Sequence, residues 1–240
     1  MPEPVRLSKR LTELFECSRR EAELAIEGGW VMVDGVVVEE PQFKVLDQEI
    51  TLHPDTTAEP VAPVTILLHK PAGYDAGEGS KPARELIHAD SHATDDVSHN
   101  RILKKHFLRL QAVLPLETAA CGLQVYSQDP RIIRKLTEDA CKMEQEFIVE
   151  VSGTIARNGL ALLNHGLSFE GKPLPAIKVS WQNETRLRVA VKEPKPGQIA
   201  HMCSSVGLGV VNMKRIRIGR RPMGNLQSGQ WRYLPDYEKF

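Results

Sequence analysis

CSRREAELAIEGGWVMVDGVVV, residues 17–38, is the stretch from which the fold is read outward. Ser18 followed three residues later by Glu21 is a capping-box pattern, in which each side chain meets a backbone N–H that the first helical turn leaves unpaired. Ala22, Leu24, Ala25 and Ile26 continue that helix, and Gly28-Gly29 stops it. Trp30 to Val33 and Val36 to Val38 then flank Asp34-Gly35, a dipeptide that tolerates the left-handed angles of a tight hairpin turn. A capped helix followed by a two-stranded hairpin is predicted.

Upstream, Leu7, Leu11, Leu14 and Phe15 recur at helical spacing, with Lys9 and Arg10 off the apolar stripe. Downstream, HPDTTAEPVAP (residues 53–63) is polar and proline-containing, as a linker is. The spacing therefore predicts a small domain over residues 1–52, a linker over 53–63 and a second domain over 64–240. In the second domain strand-like runs (VTILLH, GLQVYS, EFIVEV, LRVAVK, VVNMKRIRI) alternate with helical ones, including one around Ile132 to Met143. That mixture predicts an α+β fold with a mostly antiparallel mixed sheet flanked by helices. Residues 74–100 are rich in Asp, His, Ser and Gly and read as a loop interrupting this domain.

Composition sets outer limits. Thirty-one basic and 31 acidic side chains leave a formal net charge of zero, which excludes a diffuse polycation; any nucleic-acid surface must come from local clustering. Cys17, Cys121, Cys141 and Cys203 show no Cys-x-x-Cys spacing and read as reduced thiols of a cytoplasmic protein. No signal-peptide core and no membrane-length apolar run is seen. His88 and His92, with Asp90, Asp95, Asp96 and His99 nearby, could clamp a divalent metal if the stretch were helical. A polar surface loop is the preferred reading, and no metal is expected.

VRLSKRL, SRREA with its glycine-bounded valine hairpin, and the closing VLDQEITL together resemble the S4-type (alpha-L) RNA-binding module. Arg19 and Arg20 sit at a helix N-terminus, where free N–H groups and the dipole favour phosphate oxygens, and Lys9 and Arg10 would extend that surface. The second domain is similar to the RsuA-like branch of ribosomal RNA pseudouridine synthases. HKPAG (69–73), GLQVYSQD (122–129), GLSFEGKPLPAIKV (166–179) and VVNMKRIRIGRRPMGNLQSGQWRYL (211–234) carry the likeness, in family order.

The resemblance implies an isomerase of ribosomal RNA that breaks the uridine glycosidic bond, turns the base and rejoins it through carbon, with no metal or organic cofactor. Its loop reads Gly-Arg-Leu-Asp-x-x-Thr-x-Gly; anchored on Gly122, this chain has Pro115 for the arginine and Glu117 for the aspartate. The family's lysine and tyrosine after the domain's helix fall on Gln145 and Phe147, and its paired arginines on Ala200 and His201, while Gln198, Ile199 and Met202 persist. Lys70, Phe147 and Gln198 are expected to line the substrate cleft. Lys214, Arg215, Arg217, Arg220 and Arg221 contain no acid among them and are expected to contact RNA, with strand alternation placing Arg215 and Arg217 on one face. These substitutions strike the charged network and spare the fold. The expectation is a monomeric protein that binds structured ribosomal RNA and has weak or absent isomerase activity; the alternative is an active synthase using Glu117.

Overall fold

The computed structural model describes residues 3–240. They divide into two compact units: one runs to Pro63 and takes in Arg101–Leu108, and the other holds Val64–Asn100 and Arg109–Phe240.

In the first unit, helix α1 (Leu7–Phe15) precedes helix α2 (Arg19–Glu27). The capping box forms: Glu21 N–H donates to Ser18 Oγ at 3.2 Å, and Ser18 N–H donates to Glu21 Oε2 at 2.8 Å. Three short antiparallel strands follow, β1 (Val31–Val33), β2 (Val36–Val37) and β3 (Ile50–Leu52), with β1 central. Asp34 and Gly35 both take positive φ at the hairpin turn. Leu7, Leu11, Ala22, Ile26, Val31 and Val45 form the core. Leu14 and Phe15, expected on the buried stripe, are exposed, because Leu7 and Leu11 already fill the contact with α2 and the helix ends at Glu16 in a left-handed turn.

Residues 101–108, which the sequence reading places within the second domain, pack with this unit instead. The Arg101 guanidinium lies 4.1 Å from the centre of the Trp30 ring and donates to Gly29 O at 3.0 Å. Lys104 N–H donates to Glu39 Oε2 at 2.7 Å, Lys104 Nζ pairs with Glu40 at 2.6 Å, and Lys105 Nζ pairs with Glu27 at 2.8 Å. No local pattern announces this strap, since every group that receives it lies far upstream in the chain.

The second unit is built on a nine-stranded mixed sheet. Its strands are β4 (Thr65–Lys70), β5 (Gln111–Val113), β6 (Cys121–Ser127), β7 (Glu144–Gly153), β8 (Lys178–Trp181), β9 (Arg186–Lys192), β10 (Leu208–Ile218), β11 (Arg221–Pro222) and β12 (Trp231–Tyr233). Their order is β8-β9-β7-β10-β6-β4-β12, with β11 paired to β10 and β5 to β6; only the β10–β6 pairing is parallel. Helices α3 (Pro130–Glu138), α4 (Gly159–Asn164) and α5 (Gln198–Ser205) flank it. Ile199, Met202 and Cys203 of α5 pack on Phe147, Val149, Leu187 and Met213, whereas Leu136 of α3 joins Leu67, Leu123, Val125 and Ile218.

The polar stretch 74–100 is more ordered than a plain loop, with single 3₁₀ turns at Ala83–Leu86 and Ala89–Ser91. It is tied to the sheet: Tyr126 Oη donates to Ala76 O at 2.6 Å, Trp231 Nε1 to His88 O at 2.8 Å, and Tyr233 N–H to Asp96 Oδ2 at 2.8 Å. His92 stacks on Trp231 and hydrogen-bonds Asp96 at 2.7 Å. His88 and His92 thus share no helix face, and among the described residues no group of three or more His, Cys, Asp or Glu converges on a metal position.

Burial of His106 in the strap, with Lys105's charge secondary, lowers its pKa to about 4. The unfolded chain binds this proton near the ordinary histidine value of about 6.5, and the folded chain does so only near 4. Stability is expected to fall as pH drops through that window, and His106→Leu to flatten this part of the profile, read by urea unfolding at stepped pH.

Candidate active site

The loop bearing Glu117 lies between β5 and β6 and is fixed from below. Gln124 on β6 accepts Leu116 N–H at 2.9 Å, while its own amide donates to Val113 O at 3.1 Å and Val125 O at 2.8 Å. Beside it, Gly73 N–H donates to Thr118 O at 2.7 Å, and Thr118 Oγ1 to Asp75 Oδ1 at 2.6 Å. Gly122, at φ +108, follows the loop; a Cβ there would stand 2.3 Å from Arg215 O, so only glycine lets β6 approach β10 this closely.

Lys70 supplies the clamp. Fully buried, its ammonium donates to Pro71 O at 3.1 Å, Tyr74 O at 2.7 Å and Ala120 O at 2.7 Å, with Thr118 O at 3.4 Å. Burial lowers its pKa to about 8. The expectation that Lys70 lines the substrate cleft is corrected: buried and bonded to backbone carbonyls, it holds the loop and does not line the cavity.

A cavity of about 210 Å³ opens above this framework, lined among others by Pro115, Glu117, Gln145, Phe147, Glu193 and Arg215. Glu117 Oε2 accepts Gly197 N–H at 3.2 Å, from the turn that starts α5. Phe147 on β7 is almost completely buried, with its ring at the cavity wall. Gln198, expected in the cleft, is instead a buried turn-holder that accepts Lys195 N–H at 3.1 Å.

Arg215 is the largest correction. Expected on an RNA-facing strand edge, it is buried at the cavity, its guanidinium donating to Leu123 O at 2.8 Å, Gln145 Oε1 at 2.8 Å and Gln124 Oε1 at 3.3 Å. Burial lowers its pKa to about 9. A register shift between Arg215 and Arg217 separates two residues that alternation would place together. Arg215 pairs across the sheet with Phe147, while Arg217 turns to the other face and bonds Glu144 at 2.6 Å and Glu146 at 2.7 Å. The cavity therefore keeps a buried cation that the loop sequence alone had seemed to lose. None of its three acceptors is a carboxylate.

The remaining basic residues are spread out. Arg221 donates to Lys239 O at 2.8 Å and stands 3.6 Å from Glu238. Arg220 is exposed and Lys214 half-buried, and among the described residues neither makes an ion pair. In the first unit Lys9 and Arg19 come together with Arg6, Ser8 and Thr12 around a hollow of about 270 Å³. Arg10 pairs with Glu13 and Arg19 with Glu23, whereas Arg20 lies outside the hollow. Sequence reasoning missed Arg6, although it opens VRLSKRL, and missed Glu193 and the Gly197 amide, which reach the cavity only through the tertiary fold.

Comparison with known proteins agrees with this architecture. Residues 5–50 match the S4 domain family. Over 238 residues the chain is 26% identical to an uncharacterized RNA pseudouridine synthase of Aquifex aeolicus, covering 98% of this chain and 94% of that one. It is 25% identical over 245 residues to ribosomal small subunit pseudouridine synthase A of Escherichia coli, covering 98% of each. The crystal structure of a pseudouridylate synthase superposes with a TM-score of 0.61 over 96% of each chain at 19% identity, a likeness of fold. The chain thus carries an S4 domain at its N-terminus and is similar over nearly its whole length to RsuA-like pseudouridine synthases. The S4 domain supplies the Arg6–Lys9–Arg19 hollow, and the synthase-like fold of the second unit supplies the cavity at Glu117. No helix among the described residues is long and apolar enough to cross a membrane.

Removing the Lys70 ammonium leaves carbonyls of two loops unpaired in the interior, each costing about 1–3 kcal/mol. Lys70→Met is expected to lower unfolding free energy in urea by about 3 kcal/mol or more.

Proposed function

We propose that this protein is a monomeric, cytoplasmic ribosomal RNA-binding member of the RsuA-like pseudouridine synthase family whose uridine isomerase activity is weak or absent. The carrying observation is the state of the two charged groups at the cavity. Glu117 hydrogen-bonds the Gly197 amide, while each nitrogen of Arg215 is engaged by a glutamine oxygen or a carbonyl. By resemblance, the family's carboxylate is an aspartate beside an arginine; here it stands one methylene further out and Pro115 offers no guanidinium. A displacement of about an ångström in a reacting group can cost about a hundredfold in rate.

RNA binding by this reading draws on Lys9 and Arg19 around their hollow, with Arg10 and Arg20 nearby, and on the unpaired cations of the second unit. Such contacts give affinity and strong salt dependence without reading sequence. The kinship to ribosomal RNA enzymes supports ribosomal RNA as the partner.

One observation favours a second reading, an active synthase in which Glu117 does the aspartate's work. Glu117, Phe147 and Arg215 line a single cavity, so a carboxylate, an aromatic wall and a cation are all in place for a flipped nucleotide.

Purified protein incubated with unmodified ribosomal RNA, then assayed for pseudouridine, separates the two. The expected result is no product above background, together with RNA binding that weakens as salt rises. Glu117→Asp combined with Pro115→Arg and Ala200→Arg is expected to gain turnover by about a hundredfold or more. Product formed by the wild-type chain and abolished by Glu117→Gln overturns the proposal in favour of the active enzyme.

A further inference from the structure

The sheet of the second unit has a face that the cavity at Glu117 does not use. Strands β8, β9, β7 and β10 turn Val179, Leu187, Val189, Phe147, Val149 and Met213 into the core. Alternation sends the intervening side chains the other way. On β8 and β9 these include Lys178, Arg186, Arg188 and Lys192; on β7 they are Glu144, Glu146 and Glu150; on β10, Lys214, joined by Arg217 beyond the register shift. Six cations therefore face three carboxylates.

The carboxylates are occupied. Glu150 stands 3.8 Å from Arg186, Glu146 bonds both Arg188 and Arg217, and Glu144 bonds Arg217 at 2.6 Å. Arg217 first, then Lys178 and Lys192, hold the Glu144 carboxyl below its ordinary range. Lys178, Lys192 and Lys214 enter no ion pair among the described residues. The surplus positive charge of this face thus sits on three lysines.

A groove of about 610 Å³ opens on the same face, lined among others by Ile148, Ile216, Met223, Asn212, Lys214 and Asn225. It offers an apolar floor, a half-buried ammonium and three amides able to donate or accept, with the paired Glu150 and Arg186 at its edge. Its size falls in the range of about 300–1,000 Å³ typical of sites that hold a small molecule or one residue of a polymer.

We propose that this outward face is a second RNA-contact surface, which takes the phosphates of a single-stranded segment on Lys178, Lys192 and Lys214 while a base lies in the groove against Ile148, Ile216 and Met223. The inference rests on the RNA-binding reading above and adds a surface to it. Charge complementarity selects the occupant: a sheet face with six cations to three carboxylates suits a polyanion better than a neutral or basic peptide. The named groove and face residues include no aromatic ring, so the surface lacks a stacking platform and binds without choosing sequence.

The test uses the full chain and a fluorescent oligouridylate of about 12 nucleotides, within the footprint of single-strand binders. Affinity is read by anisotropy at salt concentrations from about 50 to about 200 mM. Lys178→Ala, Lys192→Ala and Lys214→Ala combined remove three phosphate contacts and are expected to make the log–log salt slope shallower by roughly two. Affinity at the lowest salt should fall tenfold or more, with thermal unfolding unchanged. Asn212→Asp tests the groove separately, since a new carboxylate beside Lys214 should weaken binding even with every lysine kept. If the wild-type chain binds the oligonucleotide and both variants bind it equally well, the proposal is overturned while RNA binding stands. Arg19→Ala with Arg20→Ala then reports whether the first unit carries all of that affinity. If the wild-type chain binds no RNA at all, the RNA-binding reading itself falls.

Discussion

A buried guanidinium organises the second unit. Arg215 on β10 donates to Leu123 O on β6 and to Gln145 on β7, and it shares Gln124 Oε1 with the backbone N–H of Leu116 in the loop that carries Glu117. One cation thus ties three strands and the loop to a common point. A charge so deeply buried is tolerated because each of its three nitrogens donates to an oxygen; leaving one unmet would cost several kcal/mol. Gly122 is part of the same constraint, since the close approach of β6 to β10 leaves no room for a side chain there.

The cavity follows from this node. Its cation is immobilised by neutral partners, and its carboxylate reaches the opposite wall at Gly197. Lys70 holds the loop from the far side through backbone carbonyls alone, so these contacts do not require any particular side chain at position 117. The fold can therefore persist while the reactive group changes.

The two sheet faces differ in character. One face carries helices α4 and α5 and the cavity, and the other presents an ion-pair ladder bordered by unpaired lysines. A single register irregularity in β10 decides which arginine serves which face. Zero net charge across the chain hides this local segregation.

Local rules made much of the molecule legible in advance. The capping box at Ser18 and Glu21, the glycine stop, the Asp34-Gly35 turn and the antiparallel strand runs depend on neighbours in sequence, and each formed where the pattern put it. The position of Glu117 at the cavity was readable too, because the flanking motif keeps its spacing. What only the tertiary structure decided involves partners far apart in the chain: the strap at 101–108, Lys70 as a clamp, and the removal of Arg215 from the RNA-facing set. Alternation gives the side of a strand a residue takes only while register is unbroken, and a bulge is fixed by what the neighbouring strand offers. Burial likewise belongs to the assembled fold, which turned two lysine and arginine side chains with the chemistry of surface groups into the interior supports of the site.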